Sequence, residues 1–507
     1  MCSVNTRRTL GPVHIPDDVS VWDVLQTKLQ AHGERNRIAL IDGPTGRRYS
    51  YRELLASIRN VGSALLRRGF RKGDILCIVS GNCCQFPVAL QGAISIGGTV
   101  TTCNPQSTMD DIRIQLEDCG ARWIVTSADN IGKVSNAIRG INGIKEMFCF
   151  DDSGDCTPFS ELTSDVSRTT KSHGNGAVDP KTDIALLLYS SGTTGKPKGI
   201  LRTHYAIVSD IYQLSHPSVA YSRSPGSEVY LAILPFFHAY GCMLFQLCCL
   251  LNGDTVVVYP RYNAASFVKS IQTYKHHLVL AAVFGMTETG TILMPEWDDD
   301  SSNGSVGIPA SNTECKIVDP QTGMELGPYQ DGELLVRGPS VMIGYLNRSS
   351  AADIDSDHWL HTGDMAHYDD CGRFYIVDRY KQLLKYNGYQ VVPSYLENVL
   401  LTHPAVADAG VIGLPDLRAG ELPAAFVVPK AGVTASEAEI RTFVDSGCQM
   451  FDMASDLYVV IKKVAPYNRL RGGVTFIEKV PRSPSGKILR RQLRDEALKK
   501  RNTISKL

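Results

Sequence analysis

Tyr189-Ser190-Ser191-Gly192-Thr193-Thr194-Gly195-Lys196-Pro197-Lys198-Gly199 decides how the rest of the chain is read. The run Ile184-Ala185-Leu186-Leu187-Leu188-Tyr189 leading into it predicts a buried strand. Behind such a strand, glycines and hydroxyl residues leave backbone N–H groups and side-chain oxygens free to face phosphate oxygens, and Lys196 and Lys198 supply charge. The spacing is not that of a Walker loop, so phosphoryl transfer of the P-loop type gains no support. A flexible linker needs neither two lysines nor a proline behind a buried strand.

The chain has 507 residues, 43% hydrophobic and 21% charged, enough to fill cores in two or more domains. Lys plus Arg and Asp plus Glu both number 52, so no broad electrostatic footprint for nucleic acid is expected. Fourteen cysteines are scattered without a C-x-x-C or a Cys/His cluster at metal-ligand spacing, which predicts reduced thiols. The N-terminal residues lack the apolar core of a signal peptide. Tyr230 to Leu251 carries no formal charge and has the length of a membrane span, but Pro235, His238 and Gly241 argue against one, and no transmembrane segment is expected.

Apolar spacing predicts a helix over Tyr51 to Arg68, stopped by Gly69, then a strand over Ile75 to Val79. Val88 to Ile96 and Ile112 to Glu117 read as helical, Val100 to Thr102 and Trp123 to Thr126 as extended, which is the alternation of an α/β layered sheet. From Gly304 the texture changes to short strands with turn signals, at Glu314 to Val318, Gly332 to Val336 and Phe374 to Val377, predicting a small β-rich subdomain. Asp298-Asp299-Asp300 reads as a solvated turn.

Seven blocks in order carry a resemblance: YSSGTTGKPKG at Tyr189, LPFFHAYG at Leu234, GMTETG at Gly285, GELLVRGPSVMIGYLN at Gly332, WLHTGD at Trp359, YIVDRYKQLLKYNGYQVVP at Tyr375 and PRSPSGKILRRQLR at Pro481. Over nearly its whole length the chain resembles the adenylate-forming (AMP-binding) superfamily of acyl-CoA synthetases, nonribosomal adenylation domains and beetle luciferases, most of all the 4-coumarate:CoA ligase branch. The resemblance implies an α/β fold with a large N-terminal adenylation domain, residues 1–378, and a small mobile α+β C-terminal domain, residues 379–507, with the site between them. It implies ATP, Mg²⁺ and coenzyme A as the groups handled, with a small carboxylic acid as substrate.

The chemistry gives a reason for the residue types. A carboxylate must attack the α-phosphate of ATP, expel pyrophosphate and become an acyl adenylate that a thiol then opens; metal and lysines offset the negative charges that meet. On the family's pattern Ser190, Ser191, Gly192, Thr193, Thr194, Gly195 and Lys198 hold the β and γ phosphates, Glu288 binds magnesium and Thr287 contacts phosphate. Asp364, with Arg379 beside it, matches the ligand of the ribose hydroxyls, and Lys487 the lysine that bridges substrate carboxylate and α-phosphate. Lys381, Lys385 and Gln390 fall where the adenylate is met, and Gly388 and Tyr389 resemble the loop that admits the CoA arm. His238, Tyr240, Gly241, Phe284 and Gly285 fall where the acyl group is bound. Plainer readings stand beside these: a core histidine at His238, a turn cap at Asp364, a solvated helix residue at Glu288, and for Lys487 a surface basic face with Arg490, Arg491 and Arg494.

Two departures from the pattern stand out. Between His238 and Thr287 the helix at Ile271 to Tyr274 and the strand at Leu278 to Val283 run straight into Phe284, and about fifty residues of the family pattern are absent before it. They would include a sheet strand, a wall of the acyl pocket and the turn that flanks adenine. Conversely, residues 447–461 are foreign to the pattern. A lost coding stretch and a translated intron would account for both, and a transcript reading straight through both places would overturn that account. CoA ligation of an aromatic, hydroxycinnamate-like or medium-chain acid is the expectation. The alternatives are adenylation for another thiol, luciferase-like oxidation, and an impaired nucleotide-binding protein. Ser505-Lys506-Leu507 matches the tripeptide read by the peroxisomal import receptor, so peroxisomal residence is expected.

Overall fold

The computed structural model describes residues 9–151, 156–164, 176–191, 197–218, 226, 228–261, 263–274, 283–296, 304–387, 389–446, 468–483 and 486–504. Its largest layer is an eight-stranded sheet. Strand Ile184–Ser191 pairs in parallel with Thr99–Cys103, and the parallel run continues through Ile75–Val79, Trp123–Thr126, Glu146–Cys149 and Thr157–Pro158. Parallel strands with both faces covered are buried throughout, and all five residues of Thr99–Cys103 are. Helices Tyr51–Arg67, Phe86–Ile94, Met109–Cys119 and Ile131–Ile138 alternate with these strands. Tyr51–Arg67 starts on a reciprocal cap between Ser50 and Glu53, and Gly69 beyond it has φ +98°.

On the other side of Ile184–Ser191 the direction reverses. Pro197–Thr203 returns antiparallel, with Ser190 opposite Lys198, and Gly344–Tyr345 adds to its outer edge. Ser191 and Pro197 are thus held opposite each other in the sheet, and residues 192–196 between them lie outside the described residues.

A second sheet runs Val229–Ala232, Thr255–Val258, Ile38–Asp42, Arg48–Ser50. Among the described residues Val229–Ala232 pairs on one side only. Helix Ala264–Tyr274 follows, and the strand expected at Leu278 to Val283 falls almost wholly outside the described residues. The β-rich subdomain is present as an antiparallel sheet of Glu314–Val318, Gly332–Arg337, Leu360–Tyr368 and Phe374–Arg379. C-terminal to it, Gly420–Pro429 and Val406–Asp416 form a long hairpin joined by Leu384–Tyr386, Tyr389–Val391 and Val474–Phe476, packed against Pro393–Leu401 and Arg490–Ile504. This is the large α/β part with a smaller α+β part that the sequence led us to expect. The insert at 447–461 lies outside the described residues.

Tyr230 to Leu251 is no membrane helix. It divides into the end of a strand, a turn at Pro235, and helical segments Ala239–Gly241, Cys242–Cys248 and Cys249–Asn252, and no described helix is long and apolar enough to cross a membrane. Gly241 is required there, since a Cβ would stand 2.1 Å from the Pro235 carbonyl oxygen. Phe236 is fully buried, with its ring 5.9 Å from Phe86 and 6.2 Å from Phe245. Phe236→Ala should cost about 3 to 5 kcal/mol of stability, read as a lowered denaturant midpoint; an unchanged midpoint would show that this cluster does not anchor the segment.

Candidate active site

Glu288 sits in the turn between strands Phe284–Met286 and Gly290–Met294, and it is buried, not solvated on a helix. Its Oε1 accepts from the Ser190 hydroxyl at 3.4 Å and from the Tyr345 hydroxyl at 3.2 Å. Its carbonyl accepts from the Met342 amide at 2.7 Å. Thr287 precedes it in the turn, and its carbonyl accepts from Arg202 Nη1 at 3.2 Å. Gly285 leaves room for none but itself, because a Cβ would meet the Gly290 carbonyl oxygen at 2.3 Å. Lys198 lies with its Nζ 4.9 Å from the centre of the Tyr345 ring and 3.9 Å from Asp353 Oδ1. The hairpin stem thus brings Ser190 and Lys198 to Glu288 and Tyr345.

Asp364 and Arg379 face each other on adjacent strands, with Arg379 Nε 3.2 Å from Asp364 Oδ1. Asp364 is buried, and its other oxygen, Oδ2, is buried without a hydrogen-bond partner in the structure. Desolvation pushes its carboxyl up to about 6, against the opposing charges of Arg379 and Lys487. An acceptor that is buried and unpaired is costly unless a ligand donor completes it, so Asp364 caps no turn with this atom and suits hydroxyl donors.

Lys487 stands just ahead of helix Arg490–Ile504 and is not part of that helix's basic face. Arg490 and Arg494 are tied to Glu397 and Glu421 within the C-terminal part. Lys487 is set in a turn closed by the Ser483 amide donating to its carbonyl at 2.8 Å and its own amide donating to Ser483 Oγ at 3.2 Å. Although the residue as a whole is exposed, its ammonium is held below the ordinary lysine range by desolvation and by Arg379, with Asp364 and Glu288 acting the other way. Its charge also reaches His238. His238 is not the fully satisfied core histidine of the plain reading: it is partly buried, caps Ala239–Gly241 by accepting from the Tyr240 amide at 3.4 Å, and has its pKa lowered by desolvation and then by Lys487.

Other expected positions are less convergent. Tyr240 packs on the main core, and Phe284 packs on the core of the β-rich subdomain with Ile292 and Leu293. Lys385 is exposed opposite Gln390, on the strand pair Leu384–Tyr386 and Tyr389–Val391. The side chains of Ser191, Lys381, Tyr389 and Gln390, and all of Gly192, Thr193, Thr194, Gly195 and Gly388, lie outside the described residues. Sequence reasoning missed Tyr345, Asp353 and Arg202. Tyr345 stands in a quoted block, but its contact with Glu288 depends on Gly344–Tyr345 pairing with Ile200 and Leu201, which no local pattern reveals.

Among the described residues no group of three His, Cys, Asp or Glu is arranged to hold a metal. A single buried carboxylate fits Mg²⁺ brought in with phosphates, since that ion is commonly bound through one or two carboxylates plus substrate oxygens. Glu288 beside Ser190 and Lys198 has that chemistry.

Residues 27–282 and 277–346 match the model of the family described as AMP-binding enzyme, and residues 395–487 match its C-terminal domain. The chain belongs to the AMP-binding enzyme family. Family relatives include 4-coumarate–CoA ligase 3 of Oryza sativa subsp. japonica, 32% identical with 96% of this chain and 94% of the relative covered. Peroxisomal OPC-8:0-CoA ligase 1 of Arabidopsis thaliana is also 32% identical, with 95% of this chain and 94% of that one covered. In structure, o-succinylbenzoate CoA synthetase (MenE) of Bacillus subtilis with its acyl-adenylate intermediate has a TM-score of 0.76 at 25% identity, covering 94% of this chain and 98% of that one. The rice alignment spans 552 positions against a chain of 507, so at least 45 of them, 552 less 507, have no residue here. The family match is also broken at 277–282, where the sequence pattern lacks its segment.

Asp364 gives the site a pH signature. A carboxyl raised to about 6 is ionised above that value and protonated below it. With Asp364 as the ribose ligand that the resemblance implies, acceptance of hydroxyls by the ionised form should weaken as pH falls through about 6, raising the apparent KM for ATP about tenfold, the scale of a lost hydrogen bond to a charged group. Asp364→Asn should remove the inflection; its persistence would assign it to another group.

Proposed function

We propose that this chain activates a carboxylic acid with ATP as an acyl adenylate and transfers the acyl group to coenzyme A. The observation that carries the proposal is the meeting of Lys487, from the C-terminal part, with Asp364, Glu288 and His238 in one electrostatic neighbourhood. AMP-forming acid–thiol ligation is the enzyme class of its curated relatives, and the chain is an enzyme of that class. The domain boundary we adopt lies between residues 378 and 379.

In this reading the hairpin from Ser190 to Lys198 and Thr287 receive the β and γ phosphates, and Asp364 accepts the ribose hydroxyls with Arg379 holding its other oxygen. Glu288 would hold Mg²⁺, which supplies neutralisation of phosphate charge when bound. Lys487 lies where the substrate carboxylate and α-phosphate meet. The carboxylate oxygen forms a bond to the α-phosphorus, the bond from that phosphorus to the bridging oxygen breaks, and pyrophosphate leaves with the electron pair. The CoA thiolate then forms the thioester bond and AMP leaves with its oxygen. His238, with its lowered pKa, is neutral near pH 7 and adds no charge beside the acyl group. Lys381, Lys385 and Gln390 are assigned to the adenylate, and Gly388 and Tyr389 to admission of the CoA arm.

For the acid we propose an aromatic, hydroxycinnamate-like compound or a medium-chain acid, supported by the names of the 4-coumarate and OPC-8:0 relatives. The at least 45 unmatched alignment positions favour a second reading, an impaired nucleotide-binding protein with part of its acyl pocket absent. Acid-dependent pyrophosphate exchange, run on this chain and on one with the segment restored, separates them: no exchange in either refutes the ligase. Ser505-Lys506-Leu507, outside the described residues, and the peroxisomal relative support residence in the peroxisome through its import receptor. A tagged protein keeping this end should enter peroxisomes and one lacking Leu507 should not; if both stay diffuse, that proposal fails.

Lys487→Ala should slow adenylate formation by a few hundredfold, about 3 to 4 kcal/mol, and spare thioester formation from a supplied acyl adenylate. Equal losses in the two half-reactions would refute its role at the α-phosphate.

A further inference from the structure

Beneath the turn that bears Thr287 and Glu288 lies a charged pair with no assigned purpose. Arg202 belongs to strand Pro197–Thr203 and Asp210 to helix His204–Leu214; both side chains are 1% exposed, with Nη2 3.6 Å from Oδ2. Taking both ions out of water is costly, and well-packed apolar residues at such sites are often as stable or more so, so the pair is weak evidence for stability as such. Its hydrogen bonds point elsewhere. Arg202 Nη1 donates to the Thr287 carbonyl at 3.2 Å, and Asp210 Oδ1 accepts from the Thr291 amide at 3.1 Å. One ion therefore holds each side of the turn.

The fit between pair and turn is close. Gly290 has φ +71°, and a Cβ there would stand 2.1 Å from Asp210 Oδ2 and 3.0 Å from Arg202 Nη2. The rest of the turn is closed by the Thr289 amide donating to the Met286 carbonyl at 3.2 Å and by Met342 on the Glu288 carbonyl. Without the pair, the Thr287 carbonyl and the Thr291 amide would lose the hydrogen bonds the structure gives them, and a neutral apolar neighbour offers no replacement. The Glu288 carboxylate is also within electrostatic reach of Arg202. Arg202 Nε and Nη2 and Asp210 Oδ2 have no hydrogen-bond partner in the structure, which is tolerable only where the geometry is held by the surrounding fold.

We propose that Arg202 and Asp210 are positioning residues that fix the turn so that the Glu288 carboxylate meets Ser190, Tyr345 and the metal-bearing phosphates. This rests on the adenylation reading above. Neither side chain is assigned a contact with the reacting atoms; each acts through the backbone on either side of Glu288.

The test is the double exchange Arg202→Met with Asp210→Leu, which removes both charges together and avoids leaving one ion buried alone. Backbone hydrogen exchange at Thr289 and Thr291 should quicken at least about tenfold while the melting temperature stays close to that of the parent. In pyrophosphate exchange, kcat should fall and the Mg²⁺ concentration for half-maximal rate should rise about tenfold, with the KM for the acid unchanged. Parent-like exchange at both amides, or parent-like kcat and Mg²⁺ dependence in a folded double variant, overturns the proposal. Should the double variant not fold, Arg202→Lys keeps the charge but cannot span Asp210 and the Thr287 carbonyl together; faster exchange at Thr289 supports the proposal and an unchanged rate overturns it. If the parent itself exchanges no pyrophosphate with any acid, the ligase reading fails, and the amide exchange still decides whether the pair holds the turn.

Discussion

The site depends on keeping charged groups partly away from water without leaving any of them uncompensated. Asp364 shows the constraint most plainly. Burial alone would keep its carboxyl protonated well above the ordinary range, and Arg379 at 3.2 Å together with the charge of Lys487 pulls it back to about 6. Lys487 is subject to the converse balance, lowered by desolvation and Arg379 and supported by Asp364 and Glu288. Neither part of the molecule provides this balance by itself, since Asp364 and Glu288 lie on the N-terminal side and Lys487 follows the C-terminal sheet. The coupling gives a physical reason for the two parts to meet with Lys487 near Asp364 and Glu288.

The part of the site at Ser190 and Lys198 is organised by backbone. A buried parallel strand brings the chain to Ser190, and its antiparallel return carries Lys198 back beside it. Glu288 is reached from a different sheet, so its position rests on the turn, on Tyr345 and on Met342. These groups come from segments separated by long stretches of chain, and hydrogen bonds between them tie the large sheet to the hairpin that bears Glu288.

Much of this was legible in the sequence where local patterns decide. Ile75–Val79, Trp123–Thr126 and Glu314–Val318 appear with the bounds expected, because a short apolar run between turn signals has few other solutions. Helix Met109–Cys119 begins before the expected Ile112 because Thr108 and Asp111 cap each other, a signal present in the sequence but outweighed by the apolar spacing. Phe86–Ile94 likewise starts early, with Pro87 in its first turn. Motif blocks located Glu288, Asp364 and Lys487, whereas Tyr345 and Arg202 escaped. Arg202 in particular lies outside every quoted block, and the packing of His204–Leu214 against its strand makes it an interior ion.

The shortened stretch before Phe284 bears unequally on the parts of the fold. Ser190, Lys198, Glu288, Asp364 and Lys487 stand on the eight-stranded sheet, the short hairpin, the β-rich sheet and the C-terminal part, whose strand pairings run between described residues. Val229–Ala232, by contrast, is an edge strand among the described residues, and helix Ala264–Tyr274 beside it leaves Val268 half exposed. An exposed apolar residue on the helix beside the end strand of that sheet marks a place where further chain would pack. A segment missing before Phe284 would therefore bear first on the sheet of Val229–Ala232, and on the family pattern it would also reach the turn that flanks adenine.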